Sequence, residues 1–285
     1  MPANPVSVLI HTLNEADQIA ECLESVSWAD EIYLLDSFST DGTPELVRSR
    51  FPGVRLEQRT SLGSAAQKNY GMDRTAHDWI LVVDADERVT PELADEIRRT
   101  LESPDAHAYS IGRRNIVLGK ELRFSGLQHD RVTRLFHRGH ARYPNRRVHA
   151  DLVTEHPARP LVNPFIHHYI RSFDHAAAKM TRYGYWAAAQ LFLDGRRSEV
   201  KEILFRPLAR FLRDYLVMQG FRDGARGLVV VGIHTWYVFW KYAKLWELHW
   251  QRANGVEPAL PEMEQNPEIW RRPWEGPAGV SSRET

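Results

Sequence analysis

The stretch Ile80-Leu81-Val82-Val83-Asp84-Ala85-Asp86-Glu87 decides the fold of this chain. Its apolar half is mostly β-branched, which is typical of a parallel strand that is buried on both faces. The strand ends in carboxylates, and ligands of open α/β sheets bind beyond the carboxyl ends of the strands. Asp84 and Asp86, spaced i and i+2, can share Mg²⁺ or Mn²⁺ there, because these ions prefer oxygen ligands and also take phosphate oxygens. The stretch therefore predicts a metal–diphosphate site, unless the acids only solvate the strand end and favour the dipole of the next helix.

Strands and helices alternate around this stretch. Residues 6–11 and 31–35 predict two further buried strands, and 54–57 predicts a weaker one. Amphipathic helices of ordinary length separate them. The alternation predicts an α/β fold with a Rossmann-like, mostly parallel sheet that helices cover on both faces. Right-handed crossovers would then bring the loop that starts at Thr12, the acid Asp36 and the acids after residue 83 to one edge of the sheet.

Composition and motifs exclude several function classes. Lys+Arg and Asp+Glu both number 37, so the formal net charge is zero and the overall charge does not indicate a nucleic-acid partner. Cys22 is the only cysteine, which excludes a disulfide within the chain and fits a reducing compartment. No G-x-G-x-x-G follows the first strand and no G-x-x-x-x-G-K-[ST] occurs anywhere, which argues against dinucleotide and P-loop sites.

The middle of the chain adds strands and positive charge. Residues 109–113 predict a fifth strand, 114–123 a hairpin around Gly119, and 131–137 another strand. A basic stretch begins with the last of these and contains Arg131, Arg134, His137, Arg138, His140, Arg142, Arg146, Arg147 and His149. This stretch is suited to face a phosphorylated ligand or leaving group. It is equally typical of a solvated edge strand whose charge discourages sheet pairing, and both interpretations stay open.

Hydrophobic periodicity then changes from strand-like to helical and predicts three helices, over 174–193, 199–219 and 224–250. The sequence predicts an α/β domain over residues 1–170, a C-terminal helical extension over 171–250, and a Pro-rich, loosely ordered tail over 251–285. The apolar core at 228–240 is shorter than the roughly 20 residues that span a bilayer. Basic and aromatic residues flank this core, which favours contact with a membrane surface through 224–250. The alternatives are packing on the α/β domain and contact with a second copy in a homodimer.

Four motifs carry a resemblance to a known family. They are Thr12-Leu13-Asn14-Glu15, Asp36-Ser37-Phe38-Ser39-Thr40-Asp41-Gly42-Thr43, Gln67-Lys68-Asn69 and Asp84-Ala85-Asp86-Glu87. Their order and spacing resemble family 2 glycosyltransferases, and the nearest likeness is to the lipopolysaccharide-core β-glycosyltransferase branch. The likeness covers residues 5–155, and the later segments 211–215 and 220–224 also resemble that branch. The resemblance implies the GT-A fold and a nucleotide-sugar donor.

The resemblance also implies roles for the matching residues. The donor-binding residues would be Thr12, Asn14, Glu15, Asp36, Lys68 and Asp84, and the metal ligands would be Asp86 and Asp84. The first three would line the nucleoside pocket, Asp36 would accept a hydrogen bond from a uracil ring, and Lys68 would lie near the base or the diphosphate. Asp84 would lie beside the ribose and the metal. These roles suit the chemistry, because a carboxylate accepts from a pyrimidine N–H and a cation holds a diphosphate.

One position departs from the family. Members usually carry Val-His-Glu after the basic strand, and that Glu is near the expected general base. Here the segment is Val148-His149-Ala150-Asp151, so Ala150 stands where the carboxylate is expected. Asp151 is the first candidate for the catalytic base, although adjacent side chains of a strand point to opposite faces. His149 is the second, because an imidazole ordinarily titrates in the range that base chemistry needs. Weak or absent catalysis is the third option.

These implications give one leading function and two rivals. The leading function is inverting, metal-dependent hexosyl transfer from a UDP-sugar to a glycan or lipid-linked acceptor in cell-envelope glycan synthesis. We expect such an enzyme in the cytoplasm, peripheral to the inner face of the cell membrane. The first rival is a non-catalytic nucleotide-sugar-binding protein, which Ala150 keeps open. The second is a sugar-phosphate nucleotidyltransferase, which ranks lower because residues 12–17 lack the Gly and Arg that its triphosphate loop requires.

Overall fold

The first half of the chain builds a parallel sheet. The computed structural model describes residues 4–144, 146, 151–262 and 273. The first strands are β1 (Val6–Thr12), β2 (Glu31–Asp36), β3 (Arg55–Gln58) and β4 (Trp79–Asp84). They pair in parallel in the spatial order β3-β2-β1-β4. The four strands that the sequence predicts for this half are therefore confirmed.

Helices cover both faces of this sheet. They are α1 (Ile19–Ser25), α2 (Thr43–Arg50), α3 (Ser64–Met72) and α4 (Pro91–Glu102). Alternate residues of a strand point to opposite faces. Leu81 and Val83 therefore pack in one apolar cluster with α1 and α4, whereas Ile80 and Val82 pack in another with α3. All four side chains are fully buried, which is why β4 has no polar residue before Asp84.

The second half of the sheet is mixed. Its strands are β5 (Glu87–Arg88), β6 (Ala108–Val117), β7 (Lys120–Leu122), β8 (Arg131–His137), β9 (Ala141–Arg142), β10 (Val153–Thr154), β11 (Arg159–Pro160) and β12 (Phe165–Ile170). β8 lies antiparallel between β4 and β6, and β12 and β5 continue the sheet beyond β6. β6 and β7 form the hairpin predicted around Gly119. The edge-strand interpretation of the basic stretch is wrong, because β8 pairs on both sides and buries Arg134.

Three long helices follow the sheet: α5 (Phe173–Leu193), α6 (Val200–Leu212) and α7 (Gly224–Ala253). The sequence predicts one helix over 199–219, but α6 ends at Leu212 and continues as a π turn and a 3₁₀ turn over 213–223. The wider π turn places the Asp214 side chain in the interior, where it pairs with Arg210 and Arg213. Hydrophobic periodicity does not register such an ion pair, so the helix is overpredicted.

Most of the apolar core of α7 packs against the rest of the protein. Val230 and Ile233 join an apolar cluster with residues of β6, β7, β12 and α5. Farther along, Leu245 and Leu248 pack on the end of α5. Within the described residues, no helix combines the length and the apolar character that crossing a membrane requires. The large apolar side chains that stay exposed on α7 are Leu228, Trp236, Phe239, Trp246 and Trp250.

Close packing of α3 on β1 depends on Gly71. A Cβ at position 71 would lie 2.4 Å from Cδ1 of Leu9. Overpacking a core costs about 1–3 kcal/mol, so we expect Gly71→Ala to lower the free energy of unfolding by about that amount. Gly53→Ala is the control, because nothing lies within 4 Å of a Cβ there. Urea unfolding followed by circular dichroism measures both variants, and equal stabilities would contradict this packing.

Candidate active site

The carboxyl ends of β1, β2 and β4 meet at one edge of the sheet. In the pairing register Thr12 lies opposite Asp36 and His11 lies opposite Asp84. A cleft of about 820 Å³ opens at this edge, and side chains of α5, α6 and α7 form its far wall. Its charged lining residues are Glu15, Lys68, Asp84, Asp86, Arg113, Lys179, Arg182 and Arg210. A second cavity of about 620 Å³ lies at the opposite end of β4, beside Trp79, and no residue of the four motifs lines it.

Two motif loops brace each other above the sheet edge. Asn14 accepts a hydrogen bond from the backbone N–H of Thr40 at 2.8 Å, and its own N–H donates to the Ser39 hydroxyl at 2.8 Å. The Thr43 hydroxyl accepts from the N–H of Glu15 at 3.1 Å. Thr43 followed by Pro44 predicts an N-cap at Thr43, but Gly42 holds the N-cap position of α2. These bonds fix the loop that carries Thr12, Asn14 and Glu15 into the cleft.

Asp36 lies beneath this pair of loops. Its side chain is fully buried and accepts hydrogen bonds from the Ser39 backbone N–H at 2.9 Å, the Ser39 hydroxyl at 2.5 Å and the Gln58 amide at 3.0 Å. The neighbouring Ser37 lines the cleft, whereas Asp36 does not. In this structure Asp36 therefore shapes the loop, and its implied contact with a uracil ring stays a prediction.

Asp84 is surrounded by positive charge. Its Oδ2 pairs with Arg134 and lies 3.6 Å from Nη2 of Arg113. Its Oδ1 lies 3.5 Å from Nζ of Lys68 and 3.6 Å from Nδ1 of His11. Burial disfavours the charged carboxylate, but Arg134 and Lys68 outweigh burial and hold the pKa of Asp84 well below its usual range. Asp84 is therefore an ionised carboxylate at neutral pH.

A second buried carboxylate balances the two arginines. Glu87 is fully buried and accepts a hydrogen bond from Nε of Arg113 at 2.7 Å. Its other oxygen, Oε2, accepts from the backbone N–H of Asp84 at 2.9 Å. Nη2 of Arg134 lies 3.7 Å from Oε1 of Glu87. Buried charges persist only when they are paired, so this network of β4, β5, β6 and β8 holds Asp84 in one orientation.

Asp86 faces the helical wall of the cleft. Lys179 of α5 donates to Oδ2 of Asp86 at 3.0 Å, and Nε2 of His167 lies 3.7 Å from the same oxygen. Burial disfavours the charge, but Lys179 and His167 together lower the pKa of Asp86 far below its usual range. The other ring nitrogen of His167 contacts the Asn115 side-chain oxygen at 2.6 Å, which fixes the ring. A lysine from the C-terminal helices thus completes the surroundings of a strand-end aspartate.

Burial shifts three further groups of the cleft. Burial raises the pKa of Glu15 to about 7, and Arg171, which donates to its Oε2 at 2.9 Å, offsets part of that rise. Burial lowers the pKa of Lys68 to about 8, and Arg134 lowers it further while Asp84 opposes this. Burial also lowers the pKa of His11 to about 3, so its imidazole is neutral. The cleft floor therefore combines a carboxylate, a titratable lysine and a neutral imidazole.

The helical wall contains its own polar cluster. The Tyr169 hydroxyl and Nε2 of His234 share a hydrogen bond of 2.7 Å, and the other ring nitrogen of His234 lies 3.3 Å from the buried Asp214. Arg210 pairs with Asp214 and lies 3.1 Å from His234. Burial raises the pKa of Asp214, but hydrogen bonds from His234, Arg210 and Arg213 lower it to about 2. This wall therefore presents fixed hydrogen-bonding groups opposite the strand ends.

The side chains at the strand ends fit a hard divalent cation. Oδ1 of Asp84 is buried and has no hydrogen-bond partner within the described residues, and Asp86 lines the same cleft. In the part of the chain that the structure describes, no group of three or more His, Cys, Asp and Glu residues is arranged to hold a metal. Two carboxylates without a third protein ligand suit Mg²⁺ or Mn²⁺, which usually keep waters and bind substrate phosphates.

The structure brings most of the sequence-predicted site residues together. Those that line the cleft are Thr12, Asn14, Glu15, Lys68, Asp84 and Asp86. Asp151 is exposed and does not line the cleft, and His149 lies outside the described residues. None of the described residues of the basic stretch lines the cleft either. Arg134 pairs with Asp84 but is not itself part of the cleft lining. The roles of Asp151 and His149 stay predictions.

Sequence reasoning missed the residues that come from later elements. They are Arg113, His167, Tyr169, His175, Lys179, Arg182, Arg210 and His234. The one available signal was the interruption of helical periodicity around Asp214, where a charged residue stands in an apolar pattern. The missed residues lie on later strands and helices, and tertiary packing decides which of their side chains reach the sheet edge.

Residues 7–157, about half of the chain, match the family model for glycosyl transferase family 2. The lipopolysaccharide core biosynthesis glycosyltransferase LpsC of Rhizobium meliloti (strain 1021) is 28% identical over 267 residues, which cover 91% of this chain and 99% of that protein. An uncharacterized glycosyltransferase, RP128, of Rickettsia prowazekii (strain Madrid E) is 26% identical over 88% of this chain and 90% of its own. Both alignments extend through the C-terminal helices.

A solved structure is more distantly similar. Glucosyl-3-phosphoglycerate synthase from Mycobacterium tuberculosis, in complex with Mn²⁺, UDP and glucosyl-3-phosphoglycerate, aligns with a TM-score of 0.34 and 21% identity. The alignment covers 40% of this chain and 45% of that one, so this chain spans less than half of the solved structure.

The raised pKa of Glu15 makes the stability of the fold depend on pH. The folded state keeps its proton up to about pH 7, whereas the unfolded state loses it near the ordinary value of 4.5. Stability is therefore lost as pH rises from 4.5 to 7, by up to about 3 kcal/mol at about 1.4 kcal/mol per pKa unit. We expect Glu15→Gln to remove this loss, which urea unfolding across that pH range measures. Parallel pH profiles of the variant and the wild type would contradict the raised pKa.

Proposed function

This chain belongs to glycosyl transferase family 2, and from that premise we propose that it is an inverting, metal-dependent enzyme that transfers a sugar from a UDP-sugar to a glycan or lipid-linked acceptor. The family and the α/β fold predicted from the sequence are confirmed, and the chain is a glycosyltransferase that uses a nucleotide-sugar donor. The observation that carries the finer proposal is the meeting of Asp84 and Asp86 with Lys68 and Lys179 in one cleft.

The charges of the cleft suit a nucleoside diphosphate. Five lining residues are cationic and three are acidic, and each acid is already paired with at least one cation. Such a surface attracts an anion. Asp84 and Asp86 stay ionised beside their cations, because these cations lower the pKa of both carboxyls. We place the nucleoside against the braced loop of Thr12, Asn14 and Glu15, and the diphosphate beside Lys68 and Lys179.

The charged side chains of the cleft each contribute to the transfer. Asp86 and Asp84 would hold a divalent cation, which would neutralise the charge that develops on the leaving diphosphate. Lys68 and Lys179 add fixed positive charge in a site that is partly closed to water, where such charge is worth more than in bulk solvent. The network of Glu87, Arg113 and Arg134 holds Asp84 still, so little reorganisation is needed during the reaction.

The acceptor hydroxyl needs a base on the face opposite the leaving group. We propose Asp151 for this role, with His149 as the second candidate. A carboxylate or a neutral imidazole suffices to take the proton as the oxygen attacks the anomeric carbon. Inversion follows because the attack and the departure occur on opposite faces of the sugar.

The acceptor belongs to the cell envelope in this proposal. The similarity to LpsC, a lipopolysaccharide core biosynthesis glycosyltransferase, supports a glycan or lipid-linked acceptor. A cytoplasmic enzyme on the inner face of the cell membrane would meet such an acceptor. Contact through 224–250, with a membrane or with a second copy, stays a prediction, and the exposed aromatic residues of α7 support it.

Family membership disfavours the two rivals. A sugar-phosphate nucleotidyltransferase would form pyrophosphate, and a binding protein would bind the nucleotide sugar without turnover. A donor-hydrolysis assay with Mn²⁺ over several nucleotide sugars separates the three classes, because only a glycosyltransferase releases nucleoside diphosphate.

Removing the Asp86 carboxylate tests the site directly. We expect Asp86→Asn to lower metal-dependent release of nucleoside diphosphate by about 10²–10³-fold, because charge stabilisation of the leaving group is lost. Asp95→Asn, which changes an exposed carboxylate on α4, is the control and should keep full activity. The melting temperature of each variant checks the fold. Full turnover by a folded Asp86→Asn protein would show that the metal site is assigned to the wrong residues.

The base assignment predicts a change in kcat without a change in donor binding. We expect Asp151→Asn to lower kcat by about 10²–10⁴-fold and to leave the Kd for UDP unchanged, because the base acts only on the acceptor proton. Ala150→Glu should not lower the rate, since it restores the carboxylate that the family usually carries. If Asp151→Asn is fully active and His149→Gln is not, the imidazole is the base.

A further inference from the structure

Helix α6 and the turns that follow it expose a large amount of apolar surface. Leu204, Leu208 and Leu212 recur every fourth residue and so lie on one side of α6, and Leu216 continues the series in the π turn. Each of these four leucines is 44–59% exposed. Four more large apolar side chains of the segment are at least half exposed: Val200, Phe205, Val217 and Phe221. We call these eight residues the α6 apolar face.

The opposite side of α6 belongs to the protein interior. Pro207 is the buried residue of the helix, and Arg210 lines the cleft and pairs with the buried Asp214. One helix therefore separates the cleft from an apolar outer surface. Monomeric proteins rarely expose contiguous apolar patches of this kind unless the patch binds something.

The exposed charges around the face are predominantly basic, although Glu199, an exposed acid just before Val200, pairs with Lys201 at 3.0 Å. Between Val200 and Arg226 every exposed charged side chain is basic, and these are Lys201, Arg206, Arg213, Arg222 and Arg226. The acids of the same segment have internal partners. Glu202 belongs to the capping box of α6, Asp214 is fully buried, and Asp223 accepts hydrogen bonds from the segment 123–125.

We propose that the α6 apolar face docks on an anionic lipid bilayer. Leucine and phenylalanine side chains on one side of a helix, rimmed by Lys and Arg, are typical of a segment that lies in the membrane interface. Its basic residues bind anionic headgroups while its apolar residues enter the acyl boundary. A second copy of the chain is a poorer occupant, because a symmetric contact would bring the predominantly basic rims of the two copies together.

Docking through this face goes beyond sugar transfer, because lipid binding requires no turnover. It differs from the contact that the sequence predicts at 224–250, since most of the apolar core of α7 is packed inside the protein. If the proposed function also holds, docking places the cleft one helix away from the bilayer that would carry a lipid-linked acceptor. The two proposals can fail separately.

Vesicle sedimentation of the full chain tests the docking surface. The probes are vesicles of phosphatidylcholine alone and vesicles that also contain phosphatidylglycerol. We expect the wild type to sediment with the anionic vesicles, and less so at high salt, because screening weakens headgroup attraction. Phe205→Ser with Leu208→Ser should lower the partition coefficient by about tenfold or more, since both side chains lose transfer to the acyl boundary.

Matched variants separate the two contributions. Arg222→Gln with Arg226→Gln should lower binding to anionic vesicles and abolish most of the salt dependence. Val162→Ser changes an apolar side chain that is 85% exposed outside the face, and it should bind like the wild type. Donor hydrolysis without vesicles should stay unchanged in all variants, because none of these residues lines the cleft. Melting temperatures check that each variant is folded.

Three results would overturn the proposal. One is equal sedimentation of the wild type and the Phe205→Ser, Leu208→Ser variant. Another is equal binding to both kinds of vesicle. The third is a wild-type dimer in light scattering that the double variant dissociates, together with no vesicle binding, which would assign the face to a second copy. Loss of donor turnover with intact vesicle binding would instead count against the proposed function.

Discussion

The ion pairing of Asp84 is the constraint on which the rest of the structure depends. A carboxylate at the end of a buried strand loses hydration, and only nearby cations compensate for that loss. Arg134 of β8 and Arg113 of β6 provide the compensation, and Glu87 balances them. Because the partners come from neighbouring strands, the same charges hold the order β4-β8-β6 at the cleft and aim Asp84 into it.

The C-terminal helices are part of the site for a similar reason. Asp86 and Glu15 belong to the strand-end motifs, but their cationic partners are Lys179 of α5 and Arg171 just before it. The matching family model ends at residue 157, before these partners. The part of the chain that identifies the family therefore does not contain all the charges that hold its acids, and the LpsC alignment, which covers 91% of the chain, does extend to them.

The inner side of helix α6 faces the cleft, and its outer side is exposed. Arg210 on its inner side is fixed by Asp214 and His234, whereas its outer side is apolar with a basic rim. The π turn after Leu212 makes this possible, because it turns Asp214 into the interior and leaves Leu216 and Val217 outside. The shape of the cleft wall and the character of the outer surface are thus set by the same short segment.

The sequence by itself determined the parallel strands, the family and the strand-end residues that line one side of the cleft. These follow from local patterns, since a buried strand is apolar throughout and a strand end that binds ligand is polar. Only the tertiary structure decided that β8 is an inner strand, that Asp36 supports a loop, and that Lys179 and His167 hold Asp86. These facts depend on which distant segments meet, and a charged residue in a sequence does not reveal its partner until packing removes both from water.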